Sequence, residues 1–439
     1  MAYVPVGIDD DGNLPDEVMG NLSGAYARVG GSAQRGTHVP VATRTALTYM
    51  RAKSDGSATQ ETSRVTHVIT ADCFNLRVYY GNITSNANAV SPVDGDNAIT
   101  VKCDVEDASG KRKRGWTTTG ARSMTIEPGG HGYFTVQGTF KKGDRIYTRT
   151  HVSVASAGMK WPRGLTTNTG PQAGLGEGVT VGSDLTLPST TAVSQSFVWV
   201  YSPAMILGEV ATPAPTVAII GDSIAASQAD NADRGFIVRA LEPLNLGYVW
   251  LPQQGETMSM WHTADEGGGR AVGLDHVSHA ICQYGVNDIF NNGNSLATWQ
   301  TNALKLWTAL AQRGISVFQT TITPKSSSTD SWATTANQTA AAQTGVRNSV
   351  NDWLRAGAPL NPSTLAAVAV GTAGALLAGQ PDHPLTGYFE VADQAESARN
   401  SGLWKVTGTA NYATGDGTHP SGAMHTLMAA GIDASRLTL

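Results

Sequence analysis

The stretch TVAIIGDSI, residues 216–224, decides how the second half of this chain is read. Thr216 to Ile220 form an apolar run of strand length, and Gly221 permits a tight turn directly after it. Asp222 and Ser223 follow. In open α/β sheets, ligands bind beyond the carboxyl ends of the strands. A serine that opens the next helix there presents its hydroxyl to the cleft, where the helix N-terminus favours developing negative charge. Gly-Asp-Ser is also an ordinary turn and cap sequence, so this stretch alone does not choose.

The chain downstream supports a parallel sheet. Residues 235–241 read as helix, 245–251 as strand and 277–283 as a third strand. Residues 296–313 form an amphipathic helix with Leu296, Trp299, Ala303, Leu306, Trp307 and Leu310 on one side. A strand over 315–321, ended by Pro324, and a helix over 338–356 complete the alternation, which implies a parallel sheet covered on both faces. Upstream of the Pro-rich joint 211–215, the pattern is β. Runs at 65–70, 75–80, 98–105, 122–126, 133–139, 145–154 and 196–201 carry β-branched and aromatic residues, with turns at 107–110, 128–132 and 142–144. The expected organisation is an arm or linker over 1–36, an all-β sandwich or jelly-roll-like domain over 37–210, and a three-layer αβα domain over 211–439.

Two further motifs follow the first. Gly285-Val286-Asn287-Asp288 closes the third strand, where an asparagine amide can donate to an oxyanion and glycine lets the backbone approach. The same four residues could simply cap the next segment. Asp416-Gly417-Thr418-His419-Pro420 places a carboxylate three residues before an imidazole, a spacing that can orient the ring from one loop. Pro420 suits the first helical position of a helix continuing through 424–430, so a helix cap beside an exposed histidine is the competing reading.

Together these blocks resemble the SGNH hydrolase superfamily, the GDSL-like esterases and lipases, over residues 211–439. Gly221-Asp222-Ser223-Ile224 matches the first block, with Ile where Leu is commonest. Gly285-Val286-Asn287-Asp288 matches the third and Asp416-Gly417-Thr418-His419 the fifth. Gly255 is assigned to the second block, with Gly247 nearby as a rival. The resemblance implies acyl transfer through a covalent intermediate, with Ser223 as nucleophile, His419 as base and Asp416 orienting the ring. It also implies an oxyanion hole built from the N–H groups of Ser223 and Gly255 and the Asn287 side chain, with no metal and no organic cofactor.

Other residues carry weaker readings. His276 and His279 enter a strand, where positions three apart face opposite ways, so they do not suit a metal. His383 and His425 are rivals for the base, but neither has an Asp three residues before it in a comparable setting. Asp222 reads as a turn-shaping residue, with a second acid near the nucleophile as the alternative. Asp9-Asp10-Asp11-Gly12 lacks calcium-loop spacing, and Lys111-Arg112-Lys113-Arg114 reads as a solvated hairpin tip. The three cysteines, Cys73, Cys103 and Cys282, fit neither a disulfide framework nor a zinc pattern, and buried thiols are expected, although Cys73 and Cys103 could pair. Residues 360–380, rich in Ala, Leu, Val and Gly, are expected to pack in the ordinary way, with a lid, a helical hairpin or a subunit contact as alternatives.

Composition narrows the setting. Charged residues make up 15% of the 439 and the net charge is −5, which disfavours nucleic acid and anionic membranes as partners. No apolar stretch of spanning length is present and the N-terminus does not read as a signal peptide, so an extracellular or virion-associated site would be reached by another route. The leading expectation is a carbohydrate O-acetylesterase acting on acetylated polysaccharide, as a homo-oligomer or within a virion assembly such as a phage tail. The rivals are a lipolytic esterase of longer acyl chains and a non-enzymatic, glycan-binding or structural adhesin.

Overall fold

The computed structural model describes residues 38–45, 52–84, 93–164, 173–187, 189, 191–193, 199–230, 235–264 and 268–439. The expected arm over 1–36, its acidic turn, and much of the expected strand at 196–201 lie outside them. Thr37–Leu439 groups as one compact unit.

The first part of that unit holds two antiparallel sheets. One has the order His38–Pro40, Met205–Glu209, Cys73–Gly81, His131–Phe140. The other runs Gly178–Val181, Gln60–Val68, Arg145–Ser153, Ile99–Asp107, Arg112–Arg114, with Met124–Ile126 also paired to Ile99–Asp107. Period-2 alternation orders the first sheet: Leu76, Val78 and Tyr80 are buried, whereas Arg77 and Tyr79 are turned outward and half-buried. Across the core, the Tyr80 hydroxyl meets Thr150 Oγ1 of the other sheet at 2.8 Å. The strand Met205–Glu209 escapes the alternation test because its first four residues are all buried. The basic run is not a solvated tip. The turn is the 107–110 segment, and Arg112 folds back with its guanidinium 3.6 Å from the Glu106 carboxylate.

The second part is a five-stranded parallel sheet in the order Gly247–Trp250, Thr216–Gly221, His279–Gln283, Ser316–Thr320, Gly387–Phe389. Its strands are almost wholly buried, which is why they read as continuous apolar runs rather than alternating ones. Ser295 caps the helix Leu296–Gln312 by accepting the Thr298 N–H. That helix buries Trp299 and Trp307 beside Trp353 of Thr344–Arg355, with the Trp307 and Trp353 rings stacked at 6.0 Å.

Two expectations fail in this part. The helix expected over 338–356 begins only at Thr344, because Gln338–Ala340 pairs with Ser326–Ser328 and the Gln338 side chain accepts from Ser326 Oγ and the Trp404 N–H. Residues 360–380 form no helix, and only Leu360, with Ala367, Leu376 and Ala378 against it, joins the core. Leu365, Val370 and Leu377 are exposed, and Gly371, Gly374 and Gly379 take positive φ values that interrupt any helix.

The two parts meet along the edge strand Gly247–Trp250. A β-carbon at Gly247 would collide with the Pro40 carbonyl, and the Arg44 N–H donates to the Tyr248 hydroxyl at 3.1 Å. The β region thereby covers a sheet edge that would otherwise present open pairing groups. Among the described residues, no helix is long and apolar enough to cross a membrane.

Candidate active site

Ser223 lies just past the carboxyl end of Thr216–Gly221, where Gly221 allows the chain to pass close to the neighbouring strand. A β-carbon there would collide with the Gln283 carbonyl and approach Ala225 at 2.7 Å. The Asp222 N–H donates to that carbonyl at 3.3 Å, and the Ala225 N–H donates to the Gln283 side chain at 2.9 Å. The backbone after Ser223 is a run of turns, not the regular helix expected. Ala226 bonds back four residues to Asp222 and Gln228 five residues to Ser223, while Ser227 and Ala229 adopt positive φ. Ser223 is therefore followed by irregular turns, and the expected helix terminus at this position is absent.

The structure brings the three expected catalytic side chains together. Ser223 Oγ is 2.8 Å from His419 Nε2, and His419 Nδ1 is 2.6 Å from Asp416 Oδ2. The other Asp416 oxygen accepts the N–H groups of Thr418 and His419 at 2.9 and 2.8 Å. Partial burial works to raise the Asp416 pKa, but the His419 hydrogen bond and these two N–H donors outweigh it and hold the carboxyl below its usual range. An ionised Asp416 accepts at Nδ1, which leaves Nε2 as the nitrogen that faces the Ser223 hydroxyl.

The loop that carries this pair is fastened on both sides. Gly417, at φ +77°, accepts from Trp404 Nε1 at 2.9 Å and from the Ser326 N–H at 3.1 Å. The following helix is Gly422–Ala429, capped by Ser421. Pro420 thus precedes the cap instead of occupying the first helical position, because the Ser421 hydroxyl is the group that accepts the Met424 N–H.

Gly255 and Asn287 converge on the same end of the sheet. The Gln253 N–H donates to the Gly221 carbonyl at 2.9 Å, which pins the loop of Gly255 to the nucleophile strand. Gly255 sits at φ +75°, a conformation glycine adopts without strain. Asn287 Nδ2 donates to the Glu256 carbonyl at 3.1 Å, and Asn291 donates to Asn287 Oδ1 at 2.8 Å. An amide nitrogen has two hydrogens, so one points the residue and the second can meet an oxyanion. Asn287 opens a single π-type turn, Asn287–Asn291, a local irregularity common at functional sites.

Beneath these groups lies an acidic cluster that sequence reasoning missed. Glu256 is fully buried with an ion pair to Arg270 and accepts the Tyr284 hydroxyl at 2.6 Å. Asp288 accepts the Met258 N–H at 3.1 Å, and Asp222 accepts the Ile224 N–H at 2.8 Å, as expected of a turn-shaping residue. Each of the two keeps a second oxygen that is buried without a partner among the described residues. Burial raises both, Asp222 to about 8 and Asp288 to about 7, with repulsion from Glu256 adding to both and that from Asp288 adding to Asp222. The only sequence sign of this cluster was that Asp222 and Asp288 stand inside the motifs themselves.

The rival residues have structural duties. His425 is buried and accepts the Phe236 N–H at 3.2 Å, and burial lowers its pKa to about 4. His383 Nε2 meets the Ala358 carbonyl at 2.9 Å, and His279 Nε2 meets that of Thr438 at 3.1 Å. No group of three or more His, Cys, Asp or Glu that could hold a metal occurs among the described residues. All three cysteines are buried and free, and burial pushes the Cys73 and Cys103 thiols up to about 12.

No family model matches the sequence. No curated protein matches it either. Among solved structures, the chain is similar to a member of the lipolytic protein G-D-S-L family from Veillonella parvula DSM 2008, at 17% identity over 51% of this chain and 97% of that one, with a TM-score of 0.33. It is also similar to a carbohydrate esterase family 2 enzyme plus carbohydrate binding domain from Corynascus thermopiles (Myceliophthora fergusii), at 12% identity over 90% and 98% of the two chains, TM-score 0.35. A family two carbohydrate esterase from Clostridium thermocellum, in complex with cellohexaose, aligns at 11% identity over 90% and 97%, TM-score 0.32.

Proposed function

We propose that this chain is a serine ester hydrolase of the SGNH type, working through an acyl-enzyme and removing O-acetyl groups from a polysaccharide. One observation carries the hydrolase reading: a serine hydroxyl 2.8 Å from an imidazole nitrogen whose other nitrogen is 2.6 Å from a carboxylate. In this reading, Ser223 Oγ attacks the ester carbonyl as its proton passes to His419 Nε2. The carbonyl electron pair moves onto the oxygen, which is held by the N–H groups of Ser223 and Gly255 and the Asn287 amide. Collapse breaks the bond to the alcohol, which leaves with the proton from His419. Water then attacks the acyl-serine, giving its proton to His419. Acetate departs and Ser223 recovers its hydrogen. Asp416 stays ionised throughout and stabilises the imidazolium.

The carbohydrate reading rests on the low charge content and on the β region, read as a sandwich or jelly-roll-like domain over 37–210 and joined to the hydrolase part at 211–439. An extracellular or virion-associated setting belongs to the same reading. The rival reading, hydrolysis of longer acyl chains, draws no support from residues 360–380: the Gly379 N–H donates to the Leu385 carbonyl and the Thr386 N–H to that of Val317, which puts the segment at the amino end of the sheet, opposite Ser223. A series of p-nitrophenyl esters of rising chain length, run on wild type and Ser223→Ala, tests both. Hydrolysis confined to the acetyl ester and lost in the variant supports deacetylation. A maximum at longer chains supports lipolysis, and equal rates for the two proteins contradict both and leave a glycan-binding adhesin.

A further inference from the structure

The outer face of the four-stranded sheet carries a half-buried aromatic pair, with His276 6.0 Å from the Tyr79 ring and the Arg77 guanidinium 5.1 Å from that of Tyr133. Tyr79 and Tyr133 stand directly opposite in the register of Cys73–Gly81 and His131–Phe140, and their rings lie 4.8 Å apart at 32°. Their neighbours Tyr80 and Phe134 point inward and are fully buried, whereas the two tyrosines are half-buried. They form part of the wall of a cavity of about 500 Å³, within the range of small-ligand sites. One wall is the loop that bears Thr117, Thr118, Thr119 and Ser123, and another is Val272 from the α/β part. None of its lining residues is Asp, Glu, Lys or Arg. The lining also includes His131, whose Nε2 has no hydrogen-bond partner among the described residues.

We propose that this cavity is a carbohydrate-binding site, separate from Ser223, that holds a neutral pyranose ring against the Tyr79–Tyr133 pair. A pyranose has one face of C–H groups and a rim of hydroxyls. The C–H face suits an aromatic surface, and the hydroxyls suit threonine and serine side chains that donate and accept. A lining without Asp, Glu, Lys or Arg suits a neutral ligand and disfavours a cationic one, while the Arg77 guanidinium already stacks on the Tyr133 ring. The cavity shares no residue with the Ser223, Gly255, Asn287, Asp416 and His419 set. Occupation would tether a polymer while the other site works along it. The choice of a sugar as occupant rests on the carbohydrate reading above, whereas the site itself rests on the paired rings and the cavity.

The test is calorimetric titration of the full chain with unacetylated β-1,4-linked gluco-, xylo- and manno-hexasaccharides. Wild type should bind at least one of them, and Tyr133→Ala should weaken that binding roughly tenfold or more. Tyr133→Phe keeps the ring and should bind as wild type does. Thr118→Ala, on an exposed loop, should weaken binding a few-fold with an unchanged melting temperature. All three variants should hydrolyse p-nitrophenyl acetate at the wild-type rate. No binding of any of the three by wild type at millimolar concentration, or equal binding by wild type and a folded Tyr133→Ala, overturns the proposal. The esterase reading fails separately: it falls if Ser223→Ala keeps full hydrolysis, and in that case Tyr133-dependent binding would still establish the cavity.

Discussion

The β region and the end of the parallel sheet treat buried carboxylates in opposite ways. In the β region, each buried acid meets a guanidinium: Glu61 with Arg163, Asp104 with Arg122, Glu106 with Arg64 and Arg149, and Glu177 with Arg44. Under the candidate active site, Asp222 and Asp288 each bury an oxygen without a partner among the described residues, and only Glu256 has an arginine. A scaffold satisfies its buried charges, because an unpaired one costs several kcal/mol. Beneath Ser223 the same problem is met differently: burial raises the pKa values of Asp222 and Asp288 and favours their neutral forms, a pattern that accords with the proposed site.

The largest expected effect separates the two regions by activity. Asp416→Asn should lower kcat for p-nitrophenyl acetate by about 10⁴-fold, because the ring loses the partner that fixes its tautomer. Glu61→Gln should leave kcat within about twofold yet destabilise the fold by about 3 kcal/mol, since it strands a partly buried Arg163. Steady-state kinetics and urea unfolding measure the pair, and a large kcat loss in Glu61→Gln would erase the contrast. Next, Asn287→Ala should reduce kcat by about 10²–10³ with little change in KM, as expected for a donor used only at the transition state.

The pH dependence of stability gives a finer test. Asp288 titrates near 3.8 when unfolded and at about 7 when folded, so the unfolded chain releases its proton first. Its contribution to stability is present below pH 4 and is lost as pH rises towards 7. Asp222, at about 8, extends the loss by a further unit. Asp288→Asn should therefore melt progressively higher than wild type as pH rises from 5 to 8. A constant difference across that range would show that Asp288 is not protonated in the fold. His67 and His425 act in the reverse sense: both are buried with pKa values lowered to about 4, so their stabilisation is lost as pH falls from 6.5 towards 4. The smallest effect is expected at the seam, where Tyr248→Phe removes the acceptor of the Arg44 N–H and should cost about 1 kcal/mol in urea unfolding.

Much of this was legible in the sequence because the relevant signals are short and local. Buried parallel strands read as apolar runs, and glycines at 221, 255 and 417 mark close approach or positive φ. The Asp416-to-His419 spacing fixes their bond within one loop. What depends on long-range contact was not legible. The strand Met205–Glu209 shows no alternation because its first four residues are buried. Gln338 leaves the expected helix because its side chain accepts from Ser326 and from Trp404, the latter 66 residues away. The acidic cluster draws Asp222, Glu256 and Asp288 from three separate loops, and nothing in any one of them announces the other two.

Covalent labelling reports on Ser223 most directly. The full chain is incubated at pH 7 with a fluorophosphonate ester, digested, and mapped by mass spectrometry. We expect one phosphonyl adduct, on Ser223, absent from Ser223→Ala and strongly slowed in His419→Ala. An adduct on another residue, or labelling of Ser223 at the same rate without His419, would contradict the arrangement from which the proposed chemistry is derived.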